Sequence, residues 1–215
     1  MAQYETQSVT EQSTERSESR SPLTRYAGLA AILGGGIFVV PWTLGDPAVN
    51  VAILSAMVVG LLVGLGGLHV TYRRSYGWLA TAAVALIALG LVTVTAGAIG
   101  LVTRLSSLDG IATGELEAIP DDVIVAVAAV AVGLFVVMTA ASGLGVAFWR
   151  RRLATRLVAA LLIASLPALI VGTFFLEASA FGIEAGEILM TLPFGLAMVA
   201  LGYHLWSGDA EGSPR

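Results

Sequence analysis

The sequence predicts an all-α integral membrane protein: a six-helix transmembrane bundle with a disordered polar N-terminal tail. Three observations carry that expectation. Of 215 residues, 57% are hydrophobic and 12% charged, with a mean hydropathy of +0.87. Soluble domains carry about 25% charged residues, so this chain has roughly half the usual share. Several uncharged runs reach the about 20 apolar residues a helix needs to cross a bilayer. The links between those runs alternate between arginine-rich and acidic.

Residues 1–20 are rich in Ser, Thr, Gln and Glu. They bury too little apolar surface to offset the entropy of ordering, so they read as a disordered tail. A secretory signal opens on basic residues followed directly by an apolar stretch, and this segment has neither. The first helix is therefore expected to stay in the mature protein.

The transmembrane domain is expected over 21–206. Its first helix, over 22–44, starts with Ser21 as N-cap and Pro22 at the first helical position. Gly34-Gly35-Gly36 permits close approach of a neighbour, and Pro41 frees the carbonyl of Ile37. A kink, or a break lining a site, follows from that proline. Gly45-Asp46-Pro47 stops this helix and starts the next, over 47–72. There Ala56, Gly60 and Gly64 recur every four residues as a small-residue stripe for packing.

The basic turn Tyr72-Arg73-Arg74-Ser75-Tyr76-Gly77-Trp78 leads to a third helix over 78–103. A loop carrying Asp109, Glu115 and Glu117 precedes Asp121-Asp122. Those carboxylates suit the positive end of a fourth helix, over 122–149. The second basic turn, Trp149-Arg150-Arg151-Arg152-Leu153-Ala154-Thr155-Arg156, leads to a fifth helix over 153–176. A link bearing Glu177, Glu184 and Glu187 leads into the sixth, over 184–206, and residues 207–215 form a polar tail.

Cytoplasmic loops collect arginine and lysine near helix ends. With both termini in the cytoplasm, Arg104 is the only one of 11 arginines on the outer side. Nine acids fall outside: Asp46, Asp109, Glu115, Glu117, Asp121, Asp122, Glu177, Glu184 and Glu187. Six helices in this one orientation satisfy every loop. The aromatic residues agree, because Trp and Tyr favour the interfaces. Tyr26, Tyr72, Tyr76, Trp78, Trp149, Tyr203 and Trp206 fall at the inner boundary and Trp42 at the outer one. The two basic turns also begin alike, which fits either a duplicated hairpin (helices 2–3 and 4–5) or mere likeness of composition.

The stretches Arg25-Tyr26-Ala27-Gly28-Leu29-Ala30-Ala31-Ile32-Leu33-Gly34-Gly35 and Leu201-Gly202-Tyr203-His204-Leu205-Trp206 resemble those of small six-helix membrane proteins common in haloarchaea. The basic turns fit that pattern, as does an acidic balance with 15 Asp and Glu and no lysine. The resemblance implies a topology; that family has no assigned activity, so it implies no site.

Ionisable groups deep in a membrane are functional candidates by default. The expected mid-membrane zone holds none, only the hydroxyls of Ser55, Thr93, Thr95, Thr139, Ser142, Ser165 and Thr191. These can bond their own helix backbone, whereas a proton relay or ion pump needs more. Pro167 and Pro193 free the carbonyls of Ile163 and Leu189. With Pro41, they are candidates for structural kinks or for hinges beside a solute gap.

His69 and His204 lie at similar depth, as two axial haem ligands would, but no third metal ligand is near them in the pattern. They equally suit helix C-termini at the headgroups. Glu177, Glu184 and Glu187 would share a helical face, as cation ligands or as solvated caps. With no cysteine, disulfides and thiolate sites are excluded. No catalytic or nucleic-acid motif occurs.

The candidate site residues are therefore Arg73, Arg74, Arg150, Arg151, Arg152 and Arg156, which orient the chain and meet anionic lipid headgroups. No cofactor is expected. The expected function is non-enzymatic, in the cell membrane, through a membrane protein partner or homo-oligomer. A small-solute transporter or channel using kinked helices 1, 5 and 6 is the alternative, and a haem-bearing redox protein the third.

Overall fold

The computed structural model describes residues 22–39, 47–108, 120–173 and 183–207. All-helical architecture is observed, with no strand among the described residues. The first helix, α1, is Pro22–Val39. The helical stretch Pro47–Leu108 is two helices joined at Gly77, with membrane-crossing spans Val49–Ser75 (α2) and Gly77–Arg104 (α3). The remaining helices are α4 (Asp121–Arg151), α5 (Arg156–Val171) and α6 (Ile183–Ser207). Pro41, Trp42, the tails and Glu177 lie outside the described residues.

The α2–α3 turn is shorter than the sequence suggests. α2 continues through Arg73 and Arg74, and one residue reverses the chain. Gly77 has φ 71° and ψ −177°, a backbone region that essentially only glycine occupies without strain. The α4–α5 turn is built differently. Arg152 takes a left-handed conformation at φ 53° and ends α4, its N–H bonding the Phe148 carbonyl. Thr155 then caps α5 by accepting the Val158 N–H at 3.4 Å. That cap starts α5 three residues later than the expected 153. The two turns therefore share a sequence flavour but no geometry.

α1 packs on the α2–α3 hairpin, that hairpin on α4, α4 on α5 and α5 on α6, and α1 also packs on α6, so the described helices close into a ring in chain order. Close approach of small residues makes that closure. A Cβ on Gly28 would lie 2.6 Å from the Gly202 carbonyl oxygen, and one on Gly35 would lie 2.7 Å from that of Gly195. Both pairs sum to the same number, as antiparallel helices in one register require. Gly60 meets Ala30 and Gly34 across α1–α2, Gly90 meets Gly133 across α3–α4, and Gly145 meets Ala159 across α4–α5. Gly172 meets Gly186 across α5–α6. Without side chains between them, backbones approach closely enough for dense dispersion contact, which drives helix association in lipid. On α2 the packing stripe is Gly60, Gly64 and Gly67, while Ala56 faces outward.

The ring encloses apolar side chains, among them Met57, Leu61, Ile87, Leu144, Phe148 and Phe194, all essentially inaccessible. Phe38 and Phe194 meet edge-on with ring centroids 5.2 Å apart. The outer surface is apolar too: Leu33, Val59, Leu89, Phe135 and Leu157 are each more than half exposed. An outer surface this apolar matches a lipid environment rather than water. Among the described residues, five helices are long and apolar enough to cross a membrane, and α5 is shorter. The chain is a multi-pass helical membrane protein.

Candidate functional site

The charged residues divide the bundle into two ends. At one, α2 finishes with Arg73 and Arg74, α4 with Arg150 and Arg151, and α5 starts with Arg156. These residues, Arg152 and Arg25 near the start of α1 are all exposed. Arginines in the last turns of α2 and α4 face the negative ends of those helix dipoles, which favours them. At the opposite end Arg104 pairs with Asp122 at 2.9 Å, both partners about half exposed. Asp122 also accepts the Val123 N–H, at 2.9 Å, in the first turn of α4. An exposed pair of this kind is worth about 0–1 kcal/mol.

The two basic turns, 76 residues apart in sequence, touch. The Arg151 Nη1 donates to the Ser75 carbonyl at 2.7 Å. A Cβ on Gly77 would lie 3.0 Å from Nη2 of the same guanidinium. Ser75 ends the α2 span, where carbonyls run out of partners four residues ahead. Arg151 thus caps α2 from α4 and rests on the glycine that turns the chain. Arg73, Arg74, Arg150 and Arg152 flank this joint in sequence, and all four are exposed. Sequence reasoning places all six arginines at one end but does not distinguish Arg151, because the contact depends on how two distant hairpins pack.

Exposed aromatic residues surround the same end: Tyr26, Trp78, Trp149, Tyr203 and Trp206. Tyr203 and Trp206 lie with ring centroids 6.1 Å apart. Tyr72, at the same end, turns inward: it is 9% exposed, with its ring 6.0 Å from that of Phe148 in the core.

Most hydroxyls in the helices bond the carbonyl one turn back. Ser55, Thr93, Thr95 and Ser165 reach Val51, Leu89, Leu91 and Leu161 at 2.8–3.1 Å. Ser142 is different. Its Oγ lies 3.0 Å from the Ile163 carbonyl and 3.2 Å from that of Leu162, and it accepts the Leu166 N–H at 3.2 Å. Ile163 is the carbonyl that Pro167 leaves without its intrahelical donor. A side chain of α4 thus sits inside the hydrogen-bond ladder of α5. Nothing in the spacing of Ser142 points to this partner.

Pro167 itself is exposed, whereas Pro193 is buried in α6. Thr191 bonds the Ile188 carbonyl at 3.3 Å. His69 and His204 are half-buried, and the His204 ring lies edge-on to Tyr203 with centroids 6.4 Å apart. Among the described residues, no three His, Cys, Asp or Glu side chains converge as metal ligands. No family model, curated protein or solved structure matches the chain.

Proposed function

We propose that the chain is a non-enzymatic protein of the cell membrane, acting through a membrane protein partner or its own assembly. Its basic end and both termini lie in the cytoplasm on this reading, with the arginines among anionic headgroups. The observation that carries it is the use of polar atoms inside the ring. Most described mid-helix hydroxyls bond backbone carbonyls, and apolar side chains fill the core. Among the described residues the core holds no acid or base, and Ser165, its buried hydroxyl, is bonded to Leu161, so the outer faces and the ends are the working surfaces on this reading.

Orientation is tested by side-specific labelling, which the natural absence of cysteine makes clean. A cysteine at position 152 is expected to react with an impermeant maleimide only after cells are opened, and one at position 121 in intact cells. Labelling of position 152 from outside overturns the orientation. For the role, purification in mild detergent is expected to yield a stoichiometric partner or a homo-oligomer. A monomer that carries a solute across proteoliposomes is the result that sinks it.

The second reading is that solute carrier or channel. What favours it is proline inside both α5 and α6, where transporters often interrupt helices. The three Ser142 contacts favour the structural role for Pro167.

A further inference from the structure

The two basic turns carry arginines that no described carboxylate offsets. The described acids with placed side chains, Asp121 and Asp122, are both at the far end of the bundle, where Asp122 holds Arg104. Two separate turns would each present a small, independent positive charge. Here the Arg151–Ser75 bond brings them within the length of one arginine side chain. Arg74 adjoins Ser75 in sequence, and Arg150 and Arg152 adjoin Arg151, and all three are exposed, so the joint brings arginine-bearing segments of both hairpins together.

We propose that the two turns form one composite site for the phosphodiester headgroup of an anionic phospholipid, with Arg151 as the positioning residue that joins them. Guanidinium forks pair bidentately with phosphate oxygens, and several forks from two hairpins can share one headgroup. Arg151 itself is held by the Ser75 carbonyl, so its contribution is to fix the spacing of the others. The occupant is lipid rather than a soluble anion because exposed Trp78 and Trp149 adjoin the two turns. Indole rings of that kind settle at headgroup depth, so the nearest phosphates are those of the bilayer. The left-handed Arg152, a conformation non-glycine residues seldom adopt, ends α4 sharply and keeps the second turn beside the first.

The proposal deepens the headgroup contact in the reading above and rests on the chain being membrane-embedded. It does not depend on which leaflet the basic end occupies, so the labelling experiment and the binding experiment can fail separately. The binding test uses the full-length protein in mixed micelles with phosphatidylglycerol or phosphatidylcholine of the same acyl chains. Native mass spectrometry reads retained lipid over a range of salt concentrations. Wild type is expected to retain phosphatidylglycerol at least tenfold better, with the preference falling as salt rises.

Arg25→Met removes one charge from the same end and leaves the joint intact; about a fivefold loss is the most that one charge near the surface accounts for. Arg151→Met also removes one charge but parts the turns, and is expected to lose more than tenfold. Arg151→Lys, which keeps a donor and a charge, should recover most of the binding. Arg74→Met combined with Arg150→Met touches no packed residue and should abolish the preference in a folded protein. Equal losses for Arg25→Met and Arg151→Met would mean diffuse charge and overturn the composite site. So would equal retention of phosphatidylcholine, an unchanged preference in the Arg74/Arg150 double variant, or a bound soluble polyanion displacing lipid.

Discussion

Gly35→Ala is expected to lower the stability of the bundle by about 2–3 kcal/mol, while Gly36→Ala, one residue along the same helix, leaves it unchanged or slightly raises it. The difference lies in what a single methyl group meets. At Gly35 it falls 2.7 Å from the Gly195 carbonyl oxygen, 2.9 Å from the Met198 Cβ and 3.0 Å from the Val199 nitrogen. Two of these three are backbone atoms, so no rotamer change relieves the clash and α1 must move off α6. Overpacking of this kind costs about 1–3 kcal/mol and here also separates a close-packed interface. At Gly36 nothing lies within 4 Å, and replacing a helical glycine with alanine gains up to about 1 kcal/mol.

Gly202→Ala should repeat the loss from the other side, its Cβ falling against the Gly28 carbonyl oxygen and 2.8 Å from the Ile32 nitrogen. The Gly35→Ala and Gly202→Ala pair should cost less than the sum of its singles, because the first substitution already parts the helices. Unfolding by titration with a denaturing detergent, followed by far-UV circular dichroism, measures all four. Equal midpoints for the Gly35 and Gly36 variants would mean that the ring is not closed through α1 and α6.

That ring is the part of the fold least legible in the sequence. The helices themselves are readable from local properties: uncharged length, Pro22 and Pro47 at helix starts, the Asp121-Asp122 pair and the arginines at the basic turns. Which helix abuts which depends on residues far apart, such as Gly28 with Gly202, and no local pattern encodes that pairing. The α2 stripe shows a subtler limit. Gly60, Gly64 and Gly67 meet α1, yet Ala56, on nearly the same face one step of four earlier, is exposed. How far along a stripe the neighbouring helix stays in contact is set by how the two helices cross, which no spacing of small residues encodes. Tyr72 is legible as an aromatic near a helix end, yet the turn of its ring onto Phe148 depends on how α4 packs against α2. The candidate arginines are placed at one end by composition, but the joint that distinguishes Arg151 is a product of tertiary packing.

Ser142→Ala is expected to destabilise the protein by about 2–3 kcal/mol, a large effect for one oxygen atom. The hydroxyl serves the Ile163 carbonyl, shares its proton with that of Leu162, and accepts from Leu166 N–H. Removing it leaves the Ile163 carbonyl of α5 without a donor where little water can replace the bond, at about 1–3 kcal/mol, and takes a second partner from Leu162 and Leu166. Pro167 is the reason the hydroxyl matters, and this gives the prediction a second arm. Pro167→Ala restores an N–H that can return to Ile163, so Ser142→Ala should cost about 1 kcal/mol less in that background. A double-mutant cycle in the same unfolding assay reads the coupling, and a value under about 0.3 kcal/mol would mean the two residues act independently. The cycle also bears on function. A hinge needs its broken ladder free to open, whereas here a neighbouring helix holds the break by three contacts. If α5 is a static strut, Ser142→Ala weakens the bundle without creating a flux of any solute. If it is a restrained gate, the same substitution should loosen it and raise transport in proteoliposomes, which would move the carrier reading ahead of the assembly reading.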